Sequence, residues 1–339
     1  MENDSPASAS AGAPVAIPTR RRQLVAWLLV AALVCNVTML FLPFMDLRVG
    51  LVTTPYSLLR SVRMLWESEL YVLAILVVGF SLIFPFGKLG VLAWVCAARQ
   101  VDARRMRWLA AVESLGKWSM LDVLLVCLIL TLTSGQLLVG ARPLAGIPVF
   151  TVAVLLSMTA GELISAALHR PASPRVVRVP AVAGLWLALA GVALVGTVSL
   201  PFLRINDWLL ADRSYSILTL APALWAQGAY FTVAITSLFL VIAPAAAWWV
   251  SFLWWRRQRR GGDVEASHGL MRLLRRWDML DVFGLSLAIF LVEGDYLMST
   301  EVRWGALFLV AMLALRWAFQ LALDRAFLKE LRAEQVSAD

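Results

Sequence analysis

Trp118-Ser119-Met120-Leu121-Asp122-Val123 stands at the head of one apolar run. Trp277-Asp278-Met279-Leu280-Asp281-Val282 stands at the head of another, 159 positions on. The same offset carries Tyr56-Ser57 to Tyr215-Ser216, Trp66 to Trp225, Tyr71 to Tyr230, Pro85 to Pro244 and Gly135 to Gly294. Pro43 meets Pro201 with a slip of one residue. An offset held through polar connections and apolar runs alike means one unit built twice. Each copy puts an aspartate at the mouth of an apolar helix, where a carboxylate is costly unless something holds it.

The surrounding composition says what kind of solvent the units meet. Of 339 residues, 61% are hydrophobic and 15% charged, with 15 Trp and a mean hydropathy of +0.79. Soluble domains run at about 45–50% apolar and about 25% charged. A polytopic membrane protein is the class that fits. Met1 to Thr19 is rich in Ala, Ser and Pro and reads as a disordered cytoplasmic tail, without a signal-peptide cleavage site. Cys35, Cys96 and Cys127 have no metal-binding spacing, and His169 and His268 fall in polar connections, so neither a metal nor a haem is expected. No phosphate-binding loop, dinucleotide fingerprint or nucleophile elbow appears, and no enzyme is expected. The formal charge of +8 sits beside apolar runs, which points to membrane topology rather than nucleic acid.

A spanning helix needs about 20 mostly apolar residues. Eight candidates follow, roughly 24–45, 70–96, 119–140, 146–168, 181–203, 229–255, 279–298 and 304–323. The fold expected is all-α and polytopic, two tandem repeats of four helices with short periplasmic loop elements. An even number of spans per repeat makes the halves parallel. The divisions are a cytoplasmic N-terminus (1–22), a first repeat (23–169), a linker (170–180), a second repeat (181–323) and a cytoplasmic tail (324–339). Lys and Arg number 21 on one side of these spans and seven on the other, which places both termini in the cytoplasm. The loops near 46–69 and 204–228 then face outward. Each leads through a Tyr-Ser pair into an apolar segment with a Trp, read as a short interfacial helix or a structured loop, with Ser57 and Ser216 as N-caps.

Few residues in such a chain carry chemistry, and the informative ones are charged and intramembrane. Lys88 lies 11 residues before Arg99, about 16 Å deep, and Glu162 lies eight before Arg170, about 12 Å deep. Charges at such depth tend to pair. Lys88 is expected to pair with Asp122, shared with Glu162. The second copy has Ala247 in place of Lys88, so Asp281 needs another cation, and Arg316 is the candidate. Two other readings stand beside a polar working site. The pairs serve only helix register, or the aspartates cap helix N-termini, where the macrodipole favours a carboxylate. Trp118, Met120, Trp277 and Met279 read as packing and interface anchors. Pro85 and Pro244 sit mid-helix and are expected to kink or hinge their helices.

The Trp-x-Met-Leu-Asp-Val run, used twice, resembles the paraquat-inducible protein A family (PqiA-like and LetA-like proteins). So do Phe84-Pro85-Phe86-Gly87-Lys88-Leu89 and Leu65-Trp66-Glu67 before Tyr71. The resemblance covers roughly residues 24 to 323. It implies a bacterial inner-membrane protein that moves phospholipid across the envelope with a periplasmic partner of the mammalian-cell-entry (MCE) type. The chain lacks the Cys-x-x-Cys pairs of many relatives, so their zinc is not carried over. It keeps Pro-x-x-Lys in the first half only, and has Ser134 and Glu293 where relatives carry a Lys near the end of the third helix. Two other functions remain open, a proton-coupled exporter of small amphiphiles and a non-transporting membrane scaffold.

Overall fold

The computed structural model describes residues 18–49, 52–67, 69, 71–98, 100–132, 139–168, 180–205, 213–259, 265–294 and 300–338. In the first repeat, α1 (Thr19–Phe41) leads into β1 (Pro43–Val49), β2 (Val52–Ser57) and α2 (Leu58–Glu67). Next comes α3 (Tyr71–Val77), which runs through a π-helical stretch (Val78–Ile83) into α4 (Phe84–Ala97). A connector helix, α5 (Ala103–Leu115), and a 3-10 turn (Gly116–Met120) precede α6 (Leu121–Leu132), β3 (Val139–Pro143) and α7 (Gly146–Leu168). The second repeat has the same order: α8 (Ala181–Ser199), β4 (Leu203–Ile205), β5 (Arg213–Tyr215), α9 (Ile217–Ala226) and α10 (Tyr230–Ser237). A π-helical stretch (Leu238–Ile242) then leads into α11 (Ala243–Arg259), followed by α12 (Glu265–Trp277), α13 (Leu280–Gly294), β6 (Thr300–Val302) and α14 (Trp304–Ala338).

Among the described residues, six helical stretches are long and apolar enough to cross a membrane: Thr19–Phe41, Val78–Ala97, Gly146–Leu168, Ala181–Ser199, Tyr230–Arg259 and Trp304–Ala326. The third and seventh expected segments are helical as α6 and α13, and residues 133–138 and 295–298 beyond them lie outside the described residues.

The expected proline irregularities take a definite form. Proline clashes with the carbonyl four residues back and donates no hydrogen bond. For Pro85 and Pro244 those carbonyls belong to Ser81 and Leu240, inside the two π-helical stretches. The residue before each proline bonds five back rather than four, Phe84 N–H to Gly79 O and Ala243 N–H to Leu238 O. The extra residue in the turn is the local answer to the ring, and it occurs at matched positions.

Each repeat also folds a small antiparallel sheet, in strand orders β2-β1-β3 and β5-β4-β6. Asp46 lies opposite Arg142 in the first, and Arg204 opposite Glu301 in the second, so the same cross-strand position carries opposite charges in reversed order. Gly146 is the first residue of α7 and Gly305 the second of α14. A Cβ on Gly146 would meet Pro43 O at 2.6 Å, and one on Gly305 would meet Leu200 O at 2.4 Å. Only glycine lets the helix start pass so near that backbone. On α9, Ser216 is the N-cap of a capping box. Thr219 N–H donates to Ser216 Oγ at 3.3 Å, and Ser216 N–H donates to Thr219 Oγ1 at 2.8 Å. Ser57 closes β2 at the head of α2.

The chain packs into two compact units that do not follow the repeat boundary. One comprises residues 1–42, 62–119 and 149–171, the other 43–61, 120–148 and 172–339. The first is centred on Val25, Leu29 and Ala32 of α1, Leu92 and Val95 of α4, Leu109 of α5 and Ile164 of α7. The second includes a cluster of Ala183 and Leu187 on α8, Trp254 on α11, and Phe319 and Leu323 on α14.

Candidate functional site

In the first unit, α4 carries Lys88 three residues after Pro85, on the face turned inward. Lys88 is 3% exposed, and its Nζ has no hydrogen-bond or ion-pair partner among the described residues, Glu162 included. The amine lies 3.3 Å from the point that a Cβ on Gly116 would occupy. Ser119, three residues further along the same 3-10 turn, is 2% exposed, and its Oγ also has no partner among the described residues. Residues three apart in a 3-10 turn share a face, so Ser119 follows on the same face the glycine that the amine approaches. Glu162 is half-buried on α7. Asp122 is the second residue of α6, but its side chain lies outside the described residues, and the expected Lys88–Asp122 pair lies there with it.

In the second unit, Arg316 on α14 is brought to both aspartates at the start of α13. Its guanidinium contacts Asp278 Oδ2 directly and Asp281 Oδ2 at 3.8 Å. Asp281 was the partner expected from the sequence, and the closer contact goes instead to Asp278, which is 1% exposed. The other carboxylate oxygens accept from the helix start, Leu280 N–H to Asp278 Oδ1 at 3.1 Å and Val282 N–H to Asp281 Oδ1 at 3.0 Å. At the start of α13 the contacts to Arg316 and the bonds to backbone N–H groups occur together.

Arg275, which sequence reasoning passed over, joins this group. It lines a small cavity with Asp278, Arg316, Ala247, Ser251 and Pro244, walled by Leu187, Trp248, Met312 and Phe319. Its guanidinium rests 5.9 Å over the Phe319 ring. Burial, and next the Arg316 guanidinium, draw it down to about 10. The signal that would have found it is the 159-residue offset, under which Arg275 stands where the first repeat has Gly116.

The repeated aromatic and sulfur residues differ in burial and in what they touch. Met120 and Met279 are fully buried, Trp118 is half-buried, and Trp277 stacks on Phe239 at 5.8 Å with ring planes 11° apart. Trp66 meets Tyr71 edge to face at 5.0 Å, and Trp225 meets Tyr230 in the same way at 4.7 Å. Among the described residues, no group of His, Cys, Asp and Glu could hold a metal ion.

Comparison with known proteins agrees with the repeat. The family model for paraquat-inducible protein A matches residues 22–169 and again 182–330. The intermembrane transport protein PqiA of Escherichia coli (strain K12) is 30% identical over 149 residues, covering 41% of this chain and 35% of that protein. Proteins of the same name from Escherichia coli O6:H1 and Shigella flexneri align to the same extent. The chain therefore matches about a third of the length of these curated relatives. No solved structure matches it. With both repeats covered by the family model and six helices fit to cross a membrane, this multi-pass membrane protein belongs to the paraquat-inducible protein A family.

Proposed function

We propose that the chain is an inner-membrane subunit of a phospholipid transport system of the bacterial envelope, working with an MCE-type periplasmic partner. It crosses the membrane eight times as two parallel four-helix repeats, with both termini in the cytoplasm. The relatives' name supports intermembrane transport. The observation that carries the reading is the presence of ionisable groups packed against or carried by the π-bent helix in each repeat, Lys88 in one and the group of Arg275, Asp278, Asp281 and Arg316 in the other. Polar groups set in apolar surroundings beside a helix irregularity suit a cargo with a charged head and apolar chains. Pro85 and Pro244, with their π-turns, serve in this reading as hinges.

The test is purification in mild detergent with lipid and protein mass spectrometry, followed by photo-crosslinking from positions on α4 and α11. Recovery of crosslinked phospholipid together with an MCE-type protein supports the reading. If neither is captured, it is abandoned. The Lys88 amine, without a partner among the described residues, favours a second reading, a proton-coupled exporter of amphiphiles. That protein would show flux in proteoliposomes that follows an imposed pH gradient and needs no periplasmic partner. A scaffold would show no flux, and Lys88→Ala would alter only assembly.

A further inference from the structure

The two repeats build the same junction with exchanged parts. In the first, a long cation on α4 (Lys88) faces a turn with no side chain (Gly116). In the second, the α4 position holds a methyl group (Ala247), and the turn position holds a long cation (Arg275), both lining one cavity. The fourth helix follows suit. Arg316 stands where the first repeat has Ser157, whose hydroxyl donates to Val154 O of its own helix at 2.8 Å. A cation at this junction is thus present in both repeats, delivered from different helices.

The anion differs. In the second repeat the junction contains its own, the Asp278 carboxylate, 1% exposed and held by Arg316 and the α13 start. In the first repeat the same position is Ser119, a neutral hydroxyl without a partner among the described residues, three residues along the turn from Gly116, which the equally unpartnered Lys88 amine approaches. A buried ammonium and a buried hydroxyl left without acceptors each cost free energy, and both are relieved by one multi-oxygen acceptor.

We propose that the junction of Lys88 with the Gly116–Ser119 turn is a binding site for a phosphate-type oxyanion, seated where the second repeat holds the Asp278 carboxylate. The second junction is the sealed copy and takes no such ligand. Two sources offer this chemistry, a phospholipid head group and inorganic phosphate. As a lipid site the proposal rests on the transport reading above, whereas as an anion site it does not.

The experiment uses the full chain in a neutral detergent and reads its thermal unfolding midpoint. One arm titrates inorganic phosphate against chloride at constant ionic strength. The other adds phosphatidylglycerol or, as control, an uncharged galactolipid. The wild-type chain should be stabilised by one of the phosphate probes, and which probe works identifies the source. Lys88→Met should weaken that response about tenfold or more. Ser119→Asp should abolish it by supplying an internal carboxylate, as in the second repeat. Asp278→Asn, which removes the carboxylate that seals the second junction, should add to the response rather than reduce it. If Lys88→Met does not fold, Gly116→Ala, which crowds the amine at 3.3 Å, provides the same readout. A phosphate response equal in wild type, Lys88→Met and Ser119→Asp overturns the proposal. So does a wild-type chain that responds to neither probe, or that responds only after Asp122→Asn, which would mean that Asp122 is the anion Lys88 holds. Loss of phospholipid crosslinking with the phosphate response retained counts against the transport reading alone.

Discussion

Glu69 and Gly228 occupy the same turn in the two repeats, and both have positive φ, 63° and 76°. Glycine adopts that conformation freely, whereas a residue with a Cβ gives up about 1–2 kcal/mol to do so. Glu69→Gly should therefore stabilise the first repeat by up to about 1 kcal/mol after the added unfolded-chain entropy of glycine, read as a raised unfolding midpoint in detergent. No gain would mean that the glutamate side chain makes a compensating contact. The Arg316 contact is a second residue-scale case. Removing the cation takes the ion-pair partner from the buried Asp278 carboxylate. Breaking buried pairs typically costs about 3–5 kcal/mol, and the figure here should be lower because Arg316 is 21% exposed. Arg316→Met should lower the midpoint, and adding Asp278→Asn should restore much of the loss. If the double variant is as unstable as the single one, the pair is not what holds α14 to the start of α13.

At the scale of elements, α8 is shaped by what lies against it. A Cβ on Gly184 would meet the Trp255 ring at 2.1 Å, and one on Gly191 would meet the Trp248 ring at 2.6 Å. Trp248 Nε1–H also donates to Leu187 O of α8 at 2.8 Å, so the ring cannot swing aside without losing a bond. Gly191→Ala should therefore destabilise the second unit by about 1–3 kcal/mol, the usual range for overpacking. Trp248→Phe, a smaller ring, should relieve part of that loss in the double variant, and additive losses would show that the two positions do not meet. The π-turns belong to this scale as well. Mid-helix prolines were legible in the sequence, but a proline can be met by a kink, a break or an inserted residue. The choice made here depends on how each helix packs beyond the proline.

For the molecule as a whole, the number of spans decides which side each connection faces. With eight spans, α12 and α5 share the cytoplasm and α9 faces outward. With only the six long helices crossing, α9 and α12 would change sides. In a chain with its three cysteines replaced, Gly269→Cys should resist an impermeant thiol reagent added to intact cells, and Ala226→Cys should react. The reverse pattern would refute eight spans. The balance of Lys and Arg predicts the first result because basic residues are retained on the cytoplasmic side.

The sequence by itself determined the class, the duplication and the family. Each rests on properties that survive without coordinates: apolar length, a constant offset, and a Trp-x-Met-Leu-Asp-Val run used twice. It also marked Lys88, Asp281 and Arg316, because a charge in an apolar run is conspicuous wherever the helix goes. What only the tertiary structure decided is which groups meet. Neither Asp278 nor Arg275 stood out in the sequence as a member of the polar group. Packing α12, α13 and α14 together placed both beside Arg316, since partners on different helices share no local sequence signal. The exchange of Lys88 and Gly116 for Ala247 and Arg275 was written in the sequence from the start. It became readable once the amine was found to occupy the space above a missing Cβ, because a swap of sizes means something only between residues that touch.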